Sequence, residues 1–348
     1  MTKFKMPTIE EIRNHPNPNY LEGNEAGRTL GDILAREDEH VARLVEEWLQ
    51  KGANKLFLVG SGGSRSIMEP GKYIMDRYSD FYVERYSASE FATRKPKGLG
   101  PESVVVIASH SGETEGIIEA AKLAKKVGAM TLGFTGKKKN TLVGLVDDYL
   151  CYDSPAANLS KLLMVYLVCA HLLVKVGEAK LGRELLAELK KLPEKVLEIK
   201  ETYRENGFAL AKKNKEKSGY YYLVGSGPLY GLAYQFAICT LMEMQWIHTA
   251  AIHAAEFPHG PFEVVEPGVT FIFLLGLDES RSVTEKALRF AQTYGADTIV
   301  FDAAEVKDIH PMLTPFALAI MLQWFAYALS VERQHPLAVR RYMGKVAY

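Results

Sequence analysis

The stretch Val104-Val-Val-Ile-Ala-Ser-His-Ser-Gly-Glu-Thr114 reads as a short apolar strand running into a turn of hydroxyl residues around Gly112, with a helix from Ile117 to Val127 behind it. The same grammar precedes it. Lys55 to Val59 is an apolar run that enters Gly60-Ser-Gly-Gly-Ser-Arg-Ser66, and helical residues follow to about Asp80. Phe81 to Tyr86 and Thr131 to Thr135 read as further strands, the latter ahead of the basic turn Gly136-Lys-Lys-Lys139. Strands and helices alternating at this length predict a doubly wound parallel sheet, α/β in three layers. The pattern then returns. Val224-Gly225-Ser226-Gly227 repeats Val59-Gly60-Ser61-Gly62 at an offset of 224 − 59 = 165, and Thr298 to Phe301 repeats Thr131 to Phe134 at 298 − 131 = 167. Thr270 to Leu275 leads into Asp278-Glu-Ser-Arg-Ser282 as Val104 to Ala108 leads into Ser109 to Thr114. Two copies of one α/β unit are expected.

Around these units the chain divides into a lead-in, 1–28, a first domain, 29–178, a helical linker, 179–217, and a second domain, 218–348. Pro16 and Pro18 argue for an extended lead-in. Thr29 to Gln50 carries apolar residues at helical spacing and ends at Lys51-Gly52. The apolar run from Ser160 to Val176 is interrupted by Lys161, His171 and Lys175 and reads as a buried helix. No stretch is expected to span a bilayer. Ala179 to Lys217, with Glu and Lys interspersed, reads as a solvated pair of helices. Pro315 to Glu332 reads as an apolar helix with its proline in the permitted first turn, ahead of a basic, aromatic tail from His335 to Tyr348.

The 348 residues carry 42 basic and 42 acidic side chains, so net charge directs the protein to neither nucleic acid nor an anionic membrane. An anionic ligand must be held locally. Cys151, Cys169 and Cys239 show no metal-type spacing and read as reduced core residues. With a polar, proline-bearing N-terminus unlike a signal peptide, they point to a cytoplasmic protein.

A local anion site is on offer in the first half. Gly63 and Ser64 in one turn, and Ser109, Ser111 and Thr114 in the other, bring hydroxyls and backbone N–H groups to helix starts at the carboxyl ends of strands. The second half has the acidic Asp278-Glu279 instead. Gly60 to Ser66 matches neither the dinucleotide fingerprint nor a P-loop, so neither NAD nor ATP is expected. Carboxylates and imidazoles gather elsewhere. Glu243 falls deep in a helix running from Leu229 to His248, and His259 lies between Pro258 and Pro261 in a shaped loop. A buried carboxylate with an imidazole is the usual pair for moving protons between carbon and oxygen. His253 and Glu256 are second choices, each also readable as structural, and His248 reads equally as packing or ligand contact.

The Ser109 to Thr114 turn, the duplicated halves and the run LMEMQWIH…AAEFPHGP resemble the sugar isomerase (SIS) fold, as in the isomerase domain of glucosamine 6-phosphate synthase, over the chain after about residue 28. LMEMQWIH, EFPHGPFEVVEPGV, FLLGLDESR and ERQHPLAVRRYMGKVAY resemble more narrowly the fructoselysine 6-phosphate deglycases, which cleave a phosphorylated Amadori compound to glucose 6-phosphate and an amine. The resemblance implies that Ser109, His110, Ser111 and Thr114 surround a phosphate with Ser64 nearby, and that Glu243 and His259 do acid–base chemistry. It implies no metal or organic cofactor, and a homodimer or higher homo-oligomer in which the histidine reaches a neighbour's site. Where the synthase has a lysine and an acid before this glutamate, this chain has Thr240 and Phe236, which counts against isomerisation of the synthase type. Arg340, Arg341 and Tyr342 either meet a substrate carboxylate or dock the tail. The competing readings are an aldose–ketose phosphosugar isomerase and a non-catalytic sugar-phosphate sensor.

Overall fold

The computed structural model describes residues 6–217 and 219–346. The first five residues of the lead-in, Ser218 at the domain boundary and the last two of the tail lie outside the described residues.

Each half builds its own parallel sheet. In the first, β1 (Lys55–Gly60), β2 (Tyr82–Ser87), β3 (Ser103–Ser109), β4 (Met130–Thr135) and β5 (Asp148–Cys151) lie in the order β2-β1-β3-β4-β5. In the second, β6 (Tyr220–Gly225), β7 (His248–His253), β8 (Thr270–Leu275) and β9 (Asp297–Asp302) lie in the order β7-β6-β8-β9. The second order repeats the first up to its fourth strand, so the duplication is a duplication of topology. β3, β4 and β8 are buried along their whole length, which is why they read as unbroken apolar runs: helices cover both faces of each sheet. In each sheet the strand order reverses at the central pair, β1 and β3 or β6 and β8. Their carboxyl ends open into the crevice where ligands bind in such folds.

Helices weld the halves together. Ala157–Val176 is buried almost all round, and Tyr166 donates its hydroxyl proton to the Met312 carbonyl across the molecule. This helix and the segment Pro311–Glu332 are long and apolar enough to cross a membrane, contrary to the expectation that no stretch is, but 78% and 89% of their apolar windows lie inside the protein. The charged region is likewise not a solvated pair. It is one helix, Ala179–Asn214, with Pro193 inside it. Leu185, Leu189, Leu192, Val196, Ile199 and Tyr203 recur every three or four residues and form a continuous buried stripe, while the interspersed Glu and Lys occupy the other faces. Its Lys200 is itself buried, donating to the Gly23 carbonyl at 2.5 Å, while the Lys200 carbonyl accepts from the Trp324 indole at 2.8 Å.

The lead-in is more regular than its prolines suggest. Ile9–Arg13 is a short helix opened by a capping box in which Thr8 Oγ1 accepts from Glu11 N and Glu11 Oε2 accepts from Thr8 N. The long first helix starts at Glu25, ahead of Thr29.

The halves pack closely at Gly231. A Cβ there would run into the Ser66 carbonyl oxygen and the Glu69 side chain of the first half. Gly231→Ala is therefore expected to destabilise the chain by about 1–3 kcal/mol through overpacking, read as a lower midpoint in urea or thermal unfolding; an unchanged midpoint would mean that the halves are not locked at this point.

Candidate active site

A cavity of about 710 Å³ opens at the carboxyl ends of β1 and β3. Its floor is the pair of hydroxyl turns. Gly60 and Gly62 let the first turn fold tightly: a Cβ on Gly60 would meet the Arg65 backbone nitrogen at 2.7 Å, and Gly62 sits at φ +50°. In the second turn Ser109 Oγ accepts from Gly112 N at 3.1 Å and Ser111 Oγ from Glu113 N at 3.2 Å. Each hydroxyl keeps its proton to donate elsewhere. Thr114 stands at the start of the helix Glu115–Lys126 with no side-chain capping bond. Ser64, Gly63, Ser109, His110, Ser111 and Thr114 thus all line one cavity, as their sequence positions suggest.

His110 stacks on Tyr152, ring centroids 5.7 Å apart, with Nδ1 2.7 Å from the tyrosine oxygen. Burial, then Lys161 and Lys137, holds its pKa below the ordinary histidine range. At neutral pH it offers an uncharged imidazole.

The cation of this cavity is Lys161, which the sequence reading treats merely as an interruption of an apolar helix. It is 3% exposed, and its ammonium donates to Ser64 Oγ at 2.9 Å. Among the described residues no carboxylate pairs with it. Burial lowers its pKa to about 8. An uncompensated ammonium beside hydroxyl donors is poised for an anionic ligand.

Facing the turns is the helical segment that carries Glu243. It is not a regular α-helix: Gln235–Met242 has π geometry, whose i→i+5 bonds bring residues four or five apart onto one face. Gln235, Cys239, Thr240, Glu243 and Met244 all reach the cavity this way. Thr240 Oγ1 accepts from Gln235 Nε2 at 3.3 Å, while Phe236 is buried against Phe325. Cys239 is therefore a cavity residue and not a core one, its thiol pushed up to about 11 by burial and by Glu243. Glu243 Oε1 lies 2.9 Å from Arg340 Nε of the C-terminal tail. Burial raises the carboxyl above its ordinary pKa, with Arg340 pulling the other way. The tail also supplies Leu337, Ala338 and Met343 to the cavity, and the lead-in supplies Pro18 and Tyr20.

The remaining sequence candidates lie elsewhere. His253 ends β7, accepting from Ala255 N at 3.2 Å and meeting Tyr230 edge-on. Glu256 and His259 are exposed on the loop beyond it, outside the cavity that holds Glu243 of the same chain. Arg341 and Tyr342 line a second, smaller chamber on the other side of Glu243, together with His248. In the second half the equivalent crevice is filled. Ser226 Oγ is bonded to Thr284 Oγ1 at 2.7 Å and to the Ser280 carbonyl at 2.9 Å, and Asp278 Oδ1 accepts from Ser280 N at 2.9 Å.

This geometry has counterparts. The SIS domain model matches residues 51–175. The fructosamine deglycase FrlB of Bacillus subtilis is 38% identical over 92% of this chain and all of its own length. The fructoselysine 6-phosphate deglycase of Escherichia coli is 33% identical, covering 90% of this chain and 92% of its own. The chain belongs to the SIS-domain family that includes these deglycases. Among solved structures, a Bacillus subtilis protein described as a candidate phosphosugar isomerase superposes with a TM-score of 0.83 at 36% identity, over 91% of this chain and 99% of that one.

Lys161→Met is expected to weaken binding of inorganic phosphate or a phosphosugar by about ten- to a hundredfold at pH 7, measured by calorimetry. It should also remove a loss of affinity that the native protein shows as pH rises past about 8, where the amine sheds its proton. Equal affinity in both proteins would place the lysine outside the anion site.

Proposed function

We propose that this protein is a deglycase of phosphorylated Amadori compounds, releasing glucose 6-phosphate and a free amine or amino acid. The observation that carries the proposal is the placement of one partly buried carboxylate, Glu243, across a cavity from a turn of hydroxyls and an unpaired lysine. The named relatives supply the substrate class.

The 6-phosphate sits on Ser109, Ser111, Thr114 and Ser64, with Lys161 as its counter-charge and the His110 imidazole beside it. Remote binding energy then fixes C1 and C2 of the open-chain sugar opposite Glu243. Glu243 removes a proton from C1, the C2 carbonyl oxygen takes one up, and the ketosamine becomes an enaminol. A proton delivered to C2, as the nitrogen lone pair forms the C1=N bond, gives the protonated C1 imine of the aldose with its C2 hydroxyl intact. Water adds to that imine, the C1–N bond breaks, and the amine leaves with the proton it requires. The substrate's C2 carbonyl accepts the electron pair from C1 and its nitrogen lone pair then forms the C1=N bond, so the chemistry asks of the chain proton transfer and positioning. His259 serves the sugar oxygen. Because it is exposed on its own chain, it is supplied by a second copy in a homodimer or higher homo-oligomer, whose His259 loop closes over this cavity.

Glu243→Gln is expected to lower kcat by at least about a hundredfold while leaving substrate binding within a fewfold; near-normal turnover would overturn the scheme. In the native enzyme kcat should fall on the acid side, beginning above the ordinary carboxylate range, because the raised Glu243 takes up a proton as pH drops. Mixing Glu243→Gln with His259→Ala, each inactive alone, should restore about a quarter of native activity after subunit exchange, since half the random dimers then hold one intact site. No recovery in mixtures shown to exchange would contradict a shared site.

A further inference from the structure

We infer that the chamber behind Glu243 is the subsite for the leaving amine and that Arg341 selects an amine bearing a carboxylate, that is, an amino acid. The inference rests on the deglycase reading for its substrate and on geometry for its location. The chamber measures about 310 Å³ and shares Glu243 and Met343 with the larger cavity, so the carboxylate stands between the two. The order along the protein is hydroxyl turn with Lys161, then Glu243, then this chamber. The order along an Amadori phosphate is the C6 phosphate, then reacting C2 and C1, then the substituent on nitrogen. The two sequences align in one direction only, and the chamber falls at the nitrogen substituent.

Its charge states what it takes. Of the chamber's two arginines, Arg340 is committed to Glu243 at 2.9 Å. Arg341 has no ion pair among the described residues; its guanidinium lies over the Trp246 ring at 4.2 Å, and its Nε is buried with no hydrogen-bond partner. Glu243, Arg340 and Arg341 together leave one positive charge uncompensated. A guanidinium held over an indole by its cationic centre still has N–H groups to offer, the fork that matches a carboxylate. The platform is deliberately built. Trp246 ends the Glu243 helix at φ +55°, a conformation unusual for a bulky residue. Its ring is braced edge-on by His335 at 4.5 Å, and the His335 carbonyl accepts from the fully buried Gln245 at 2.6 Å. Strain there is repaid by a stacked arginine beside the reacting carbons. Met242 and Ile247 give the rest of the wall an apolar surface suited to the carbon chain of an amino acid.

The test uses two matched pairs of fructosamine 6-phosphates: the valine adduct beside its isobutylamine counterpart, and the ε-linked lysine adduct beside its 1,5-diaminopentane counterpart. The native enzyme is expected to prefer the carboxylate-bearing member of at least one pair by about tenfold or more in kcat/KM. Arg341→Gln should collapse that preference, and Arg341→Lys should keep part of it. No preference in either pair, or one that Arg341→Gln leaves intact while both members slow together, overturns the subsite. If the native enzyme cleaves none of the four, the deglycase reading fails on its own account. The subsite is then decided by titrating tryptophan fluorescence with free valine, lysine and the two amines: saturable binding of the amino acids alone, lost in Arg341→Gln, upholds it, and its absence overturns it.

Discussion

Glu243 and Arg340 form the contact on which the rest of the site depends. A carboxylate withdrawn from water at the wall of a cavity is costly unless a counter-charge reaches it. Here that charge comes from beyond the last helix, so the tail must fold back across the second half to supply it. The tail is tied down on the way. Asn17 accepts from Leu337 N at 2.9 Å and donates to Ser330 Oγ at 2.8 Å, which couples the lead-in to the tail. Two segments that look like loose ends therefore become part of the cavity wall, and Glu243 is paired by the tail that the lead-in ties down.

The duplicated fold has been used asymmetrically. Both halves offer a crevice where strand order reverses, but in the second half Ser226, Asp278, Ser280 and Thr284 bond to one another and close it. Asp278 would in any case repel an anion. The first half keeps its turns open and adds the Lys161 ammonium from the central helix. The second half turns its first helix inward and, through a π segment, aims Glu243 at its sister's crevice. One half supplies hydroxyls and an ammonium, the other a carboxylate.

Much of this was legible in order along the chain. Strand–turn–helix units are local, and Val104 to Thr114 announces one through apolar residues, hydroxyls and a glycine in contact along the sequence. The duplication followed from two offsets. Other features depend on what the chain meets after folding. β7, His248-Thr-Ala-Ala-Ile-His253, is an edge strand whose Thr-Ala-Ala centre gives no apolar strand signal in the sequence. From its composition the Ala179–Asn214 helix reads as solvated, because composition averages over faces that the fold separates. Lys161 left a visible signal, a lone lysine in an apolar run, but its meaning rests on Ser64 nearly a hundred residues away. His259 pairs with Glu243 in the sequence as imidazole with carboxylate and through the family resemblance, but within one chain the fold keeps it on an exposed loop outside the cavity.

The account stands most directly on one assay: glucose 6-phosphate released from fructosamine 6-phosphates, followed with a coupled dehydrogenase and compared with free amine formed. Release matched mole for mole by amine, and lost when the sugar lacks its phosphate, is the predicted result. No release from any such substrate, with fructose 6-phosphate or another phosphosugar still bound or isomerised, would contradict the account and leave an isomerase or a sensor on the same fold.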